Sequence, residues 1–96
     1  MMVIVSYDVS TTTATGRRRL RRVAKICLDF GQRVQNSVFE CLVDATQWTE
    51  LRLRLLAAFE ETEDSLRFYF LGNHWKGRVE HFGIKAVLDL DEPLVV

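Results

Sequence analysis

Two stripes of opposite character run along residues 16 to 30. Leu20, Val23, Ala24 and Cys27 recur at i, i+3, i+4 and i+7, and Arg18, Arg21, Arg22 and Lys25 repeat that spacing on the other side. At about 100° per residue the stripes face away from each other, so this segment reads as a helix with one face in a core and a cationic face outside. Thr15 or Gly16 can cap its start and Gly31 can supply a left-handed terminating position. Immediately upstream, Val3, Ile4, Val5, Tyr7 and Val9 make a β-branched and aromatic run with Asp8 at or near its carboxyl end, the pattern of a strand in mid-sheet.

The remaining segments extend this order. Residues 32 to 44 place Val34, Val38 and Leu42 on one parity and Phe39, Cys41 and Val43 on the other, with a polar break at Asn36 and Ser37, which predicts one bent strand or a tight hairpin. Asp44 with Gln47 makes a capping box for a second helix with an apolar stripe of Trp48, Leu51, Leu55 and Phe59. An acidic loop (Glu60, Glu61, Glu63, Asp64) leads to a strand over residues 65 to 72, in which Leu66, Phe68 and Phe70 oppose Arg67, Tyr69 and Leu71. The β-α-β(β)-α-β order predicts an α+β, ferredoxin-like βαββαβ sandwich, with residues 1 to 96 as one domain. Residues 73 to 96 have no place inside that unit. RVEHFG reads as a short strand, and Val87, Leu88, Leu90, Leu94, Val95 and Val96 would be unfavourable to leave wet at about 25 cal/mol per Å2. They are expected to pack on another subunit's sheet or helices.

Ninety-six residues with 48% hydrophobic and 27% charged side chains fit a small soluble domain, and no apolar run nears the ~18 residues of a membrane span. The start MMVIVSYDV lacks a basic n-region, which predicts a cytoplasmic protein. Cys27 and Cys41 have no metal-ligand spacing and read as buried small hydrophobes. Net charge is zero, yet residues 1 to 35 carry seven cations against two acids and residues 36 to 96 six against eleven. Such segregation fits a basic face meeting a polyanion, and equally a match between the two halves of the chain.

Two features carry chemistry. A carboxylate at a strand's carboxyl end, as at Asp8, can hold a hard cation, or it can cap a loop or pair with an arginine of the next helix. One carboxylate is thin for a magnesium site, but a two-fold dimer would supply a second. Arg17, Arg18, Arg19, Arg21, Arg22 and Lys25 suit phosphate oxygens near a helix N-terminus, giving sequence-independent nucleic-acid binding; the alternative is a solvated face. His74 and His81 lack a third ligand, Ser6 and Ser10 lack an activating histidine, and Trp75 can stack on a base or anchor the tail.

The strand ending YD, the Thr-rich loop, GRRRLRRVAKICLDFG, RVQNSVFE, DSLRFYF and VEHFG together resemble the CRISPR-associated protein 2 family, in order from about residue 2 to 92. The VEHFG segment with its acidic, Pro-containing tail resembles the form found in subtype I-C loci. The resemblance implies an obligate homodimer with an exchanged final strand. It implies magnesium or manganese bound by Asp8 at the dimer cleft, and Tyr7, Arg33 and Phe39 at positions linked to nuclease activity. It places Arg18 and Arg22 on a DNA-backbone surface. It further implies a role in spacer acquisition, as a metal-dependent endonuclease on RNA or DNA or as a non-catalytic bridge to the larger CRISPR integrase. A small-molecule regulatory domain is the rival from another class.

Overall fold

Strand β1 (Met2–Asp8) lies inside a four-stranded antiparallel sheet of order β2-β3-β1-β4, where β2 is Gly31–Gln35, β3 is Val38–Leu42 and β4 is Ser65–Gly72. Helices α1 (Ala14–Phe30) and α2 (Ala45–Ala58) follow β1 and β3, which completes the expected ferredoxin-like sandwich. This computed structural model describes residues 1–83 of the chain. The predicted exchange of residues 73 to 96 therefore falls partly outside the described residues, from 84 onward.

Period-two alternation divides β1 between two environments. Val3, Val5 and Tyr7 are buried under the helices with Phe39, Cys41, Val23, Ile26, Cys27, Leu51 and Leu55. Met2, Ile4, Ser6 and Asp8 take the opposite face. At its amino end, Met2 is covered by Trp75, from a short 3-10 turn (Trp75–Arg78), with Ile4, Leu42 and Leu71 around them. Trp75 is thus a packing residue, of the two roles open to it. At the carboxyl end Asp8 is exposed, with no cover among the described residues.

Several local expectations change. The α1 N-cap is Thr13, whose hydroxyl accepts from the Gly16 N–H, two to three residues earlier than Thr15 or Gly16. Gly31 is not a left-handed cap: its φ of −167° is extended, and it opens β2 directly after Phe30. Glycine is required there by contact, since a β-carbon would overlap the Glu40 carbonyl oxygen and lie 2.7 Å from Cys41 Sγ. The 32 to 44 segment resolves as the hairpin, turning at Asn36 and Ser37. The Asp44–Gln47 capping box forms in both directions. Phe70 departs from the predicted core stripe: it is 56% exposed at the sheet's rim, with its ring edge-on to Trp48 at 5.1 Å. Trp48 also meets Phe68 edge-on. Residues 79 to 82 pair with no strand among the described residues.

The acidic loop does more than balance charge. Asp64, its side chain fully buried, accepts from the Ser10 N–H (3.0 Å), the Glu60 N–H (2.9 Å) and Arg19 Nε (2.9 Å) and Nη2 (3.2 Å). Arg19 also reaches Glu63 at 2.9 Å. One carboxylate thereby ties the loop after β1, the first turns of α1 and the approach to β4. The guanidinium of Arg19, followed by the two backbone N–H donors, holds the Asp64 carboxyl below the usual carboxylate range.

Candidate functional site

Asp8 ends β1 opposite Ser65 of β4, and Ser6 lies opposite Arg67. It borders two adjoining hollows. One, of about 260 Å3, is lined by Ser6, Tyr7, Asp8, Ser65, Arg67 and Tyr69. The other, of about 470 Å3, is formed with Val9, Leu20, Asn36 and Ser37. Despite the run of cations that follows it in sequence, the Asp8 carboxylate makes no ion pair or hydrogen bond among the described residues; the helix's partnered acids are Asp29, Glu63 and Asp64. Of the alternatives open for Asp8, capping the loop and pairing with an arginine are both absent, since Asp64 performs those tasks.

A lone exposed carboxylate with serine hydroxyls at its side fits magnesium, a cation that keeps several of its waters and takes one or two protein carboxylates. No group of three or more His, Cys, Asp or Glu side chains suited to a metal is present among the described residues. Each protomer therefore offers one first-rate ligand.

Tyr7 and Phe39 stack at 6.0 Å with an interplanar angle of 22°, and the Arg33 guanidinium lies 5.2 Å from the Phe39 ring centre. The three residues do assemble, but on the helix side of the sheet, whereas Asp8 projects from the other. Tyr7 is 4% exposed and Phe39 is fully buried, so the expectation that their side chains work alongside Asp8 is corrected by strand alternation. They support β1 from beneath. Burial pushes the Tyr7 phenol above its ordinary value, with Arg33 pulling the other way, so its hydroxyl stays a donor, here to the Asn36 carbonyl at 3.4 Å. The two cysteines are buried as expected, each pushed up to about 12 chiefly by burial, and neither is a nucleophile.

The cations of α1 divide as well. Arg19 is 16% exposed and engaged by Asp64 and Glu63, which removes it from the predicted phosphate-binding set. Arg17 and Arg18 make one hydrogen bond each within the chain, to the Thr11 carbonyl and the Thr15 hydroxyl. Both remain exposed, as do Arg21, Arg22 and Lys25. Arg22 and Lys25 also edge a groove of about 440 Å3 between the helices, together with Arg54. This basic face and Asp8 lie on opposite sides of the sheet. A nucleic acid touching both must pass around the carboxyl end of β1 or reach the second site on another subunit. His74 and His81 are exposed and separate.

The family model described as CRISPR associated protein Cas2 matches residues 1–79. The chain belongs to that family. It is 58% identical over 96 residues to the CRISPR-associated endoribonuclease Cas2 of Chlorobaculum tepidum, covering all of both chains. It is 55% identical over 95 residues to the CRISPR-associated endonuclease Cas2 of Halalkalibacterium halodurans, covering 99% of each. The crystal structure of Streptococcus pyogenes Cas2 at pH 6.5 superimposes with a TM-score of 0.75 at 55% identity, over 86% of this chain and all of that one. The family membership read from YD, RVQNSVFE and VEHFG thus stands, and with it the fold. No helix among the described residues is long and apolar enough to cross a membrane.

Proposed function

We propose that this protein is a homodimeric, metal-dependent endonuclease of CRISPR adaptation, cutting RNA or DNA phosphodiesters while the basic face of α1 holds the backbone. The observation that carries this reading is the exposed Asp8 carboxylate at the end of β1, bordering two hollows and without an ion pair among the described residues. The names of the relatives, endoribonuclease and endonuclease, support the reaction class. Asp8 of each subunit would hold magnesium or manganese, which supplies an activated water and offsets charge developing on the phosphate. The protein's own contribution is to keep that carboxylate exposed, with Ser6 and Ser65 beside it. Tyr7, Phe39 and Arg33 keep β1 in register from the other face.

A second copy of the chain is the natural cover for the edge of β4, which pairs with no further strand among the described residues. That strand is eight residues long, ends the sheet and carries Tyr69 (47% exposed) and Phe70 (56%), with Phe82 nearby in sequence at 87%. The larger CRISPR integrase is the proposed heterologous partner, and the cytoplasm the proposed site of action.

The test is cleavage of labelled RNA and DNA with magnesium, with manganese and with a chelator. Wild-type protein should cut only with metal, and Asp8→Ala should lose cutting while its melting temperature is unchanged. Cutting at the wild-type rate by Asp8→Ala would exclude the role. The single carboxylate per protomer favours a second reading, a non-catalytic adaptor between the integrase and DNA; spacer acquisition retained by Asp8→Ala would select it. Either reading requires the cationic face. Replacing Arg18 and Arg22 together by alanine should lower the slope of log affinity against log salt by about 0.9 per lost duplex contact. An unchanged slope would remove α1 from the interface.

A further inference from the structure

Asp8 has one cation on its face of the sheet among the described strand residues. Among the described strand residues, Arg33 lies on the helix side over Phe39, and Arg67 is the only lysine or arginine that alternation places beside Ser6 and Asp8. Arg67 is exposed, lines the smaller hollow with Asp8, and sits one diagonal step from it across the ladder. Such diagonal neighbours are about 7 to 8 Å apart at Cα, within reach of a long side chain. Arg67 nevertheless forms no ion pair with Asp8. Its Nη1 instead donates to the Tyr69 hydroxyl, two residues along the same face, at 3.4 Å. The guanidinium is drawn towards Tyr69, leaving an open hollow between the carboxylate and a cation with no acid paired to it among the described residues.

We propose that Arg67 is a phosphate-binding residue of the Asp8 hollow, with Tyr69 as the positioning residue that holds its guanidinium off the carboxylate. The ligand is a phosphodiester of a nucleic-acid backbone, one phosphate removed from any group attached at Asp8. A polyanion brought to an unpaired carboxylate meets repulsion. A guanidinium fork on the same face offsets that repulsion and fixes the strand's direction, which the arginines of α1, on the other side of the sheet, are not placed to do. This role rests on the reading of Asp8 as the reactive centre, but its test is separable from that reading.

The experiment measures binding of a short fluorescent duplex and a single strand by anisotropy across a salt series, in an Asp8→Asn background that removes hydrolysis. Arg67→Ala should weaken binding roughly tenfold at low salt and lower the salt slope by about 0.9 for the duplex or 0.7 for the single strand. Arg67→Lys should restore the slope with part of the affinity. Tyr69→Phe should keep the slope and lose less than threefold. An unchanged slope in Arg67→Ala overturns the proposal and leaves Asp8's role untouched. A wild-type protein that never cuts, but whose slope depends on Arg67, overturns the hydrolase and keeps this site. Sedimentation of the same variants adds one further arm: a change of subunit stoichiometry in Arg67→Ala would assign the residue to a subunit contact and overturn the proposal.

Discussion

Asp64→Ala is expected to remove about 2 to 3 kcal/mol of stability, a large share of what a domain of this size possesses. The substitution leaves the N–H groups of Ser10 and Glu60 without their acceptor and reduces the partners of Arg19, 16% exposed, to Glu63 alone. In thermal melts this should appear as a fall of more than about 10 °C. Asp64→Asn, which keeps one carbonyl oxygen, should fall between the two. A loss under about 1 kcal/mol by urea titration would show that the clamp is not structural.

The same clamp sets a pH dependence. Because the Asp64 carboxyl titrates lower in the folded chain than in the unfolded one, its contribution is complete above the unfolded value of about 3.9 and drains away as pH falls through the folded value. Glu40, 5% exposed, is displaced in the other direction by burial, with only His81 opposing, so its protonation favours the fold. Asp64→Ala should therefore flatten the acid limb of the wild-type stability profile. An equally steep limb in the variant would assign that limb to other acids.

The second large effect is expected at Gly31. Gly31→Ala puts a β-carbon into the Glu40 carbonyl oxygen and within 2.8 Å of the Cys41 α-carbon, and neither is the far end of a flexible side chain. To make room, β2 must separate from β3 where α1 passes into the sheet without a loop. A loss of about 3 kcal/mol is expected, the upper end for overpacking. Hydrogen exchange should show it as lost protection across residues 31 to 35. A variant as stable as wild type would mean that the strand pair has slack.

How far these features could be read from the residues depended on their range in the chain. The α1 stripes, the Asp44–Gln47 box and the two helix cores are local patterns, and each was legible. Gly31 was legible as a special position but for the wrong reason, because a left-handed cap is a local inference whereas the approach of Glu40 and Cys41 exists only after pairing. Arg19 looked like its neighbours in the cationic run, since nothing in sequence announces an acid 45 residues away. Tyr7 and Asp8 share a motif, and adjacency in the motif suggested a shared task that the pleat forbids. The signal for Arg67 was present in the alternation of residues 65 to 72, but gained meaning only when β4 was laid against β1.

That pleat makes the length of β1 indispensable. Loss of a single codon between Val3 and Ser6 would turn the strand inside out, driving an ionised oxygen pair beneath the helices and presenting a phenol ring to water, with most of the composition intact. Insertions and deletions in descendants of this chain should be scarce in the six residues before the acid.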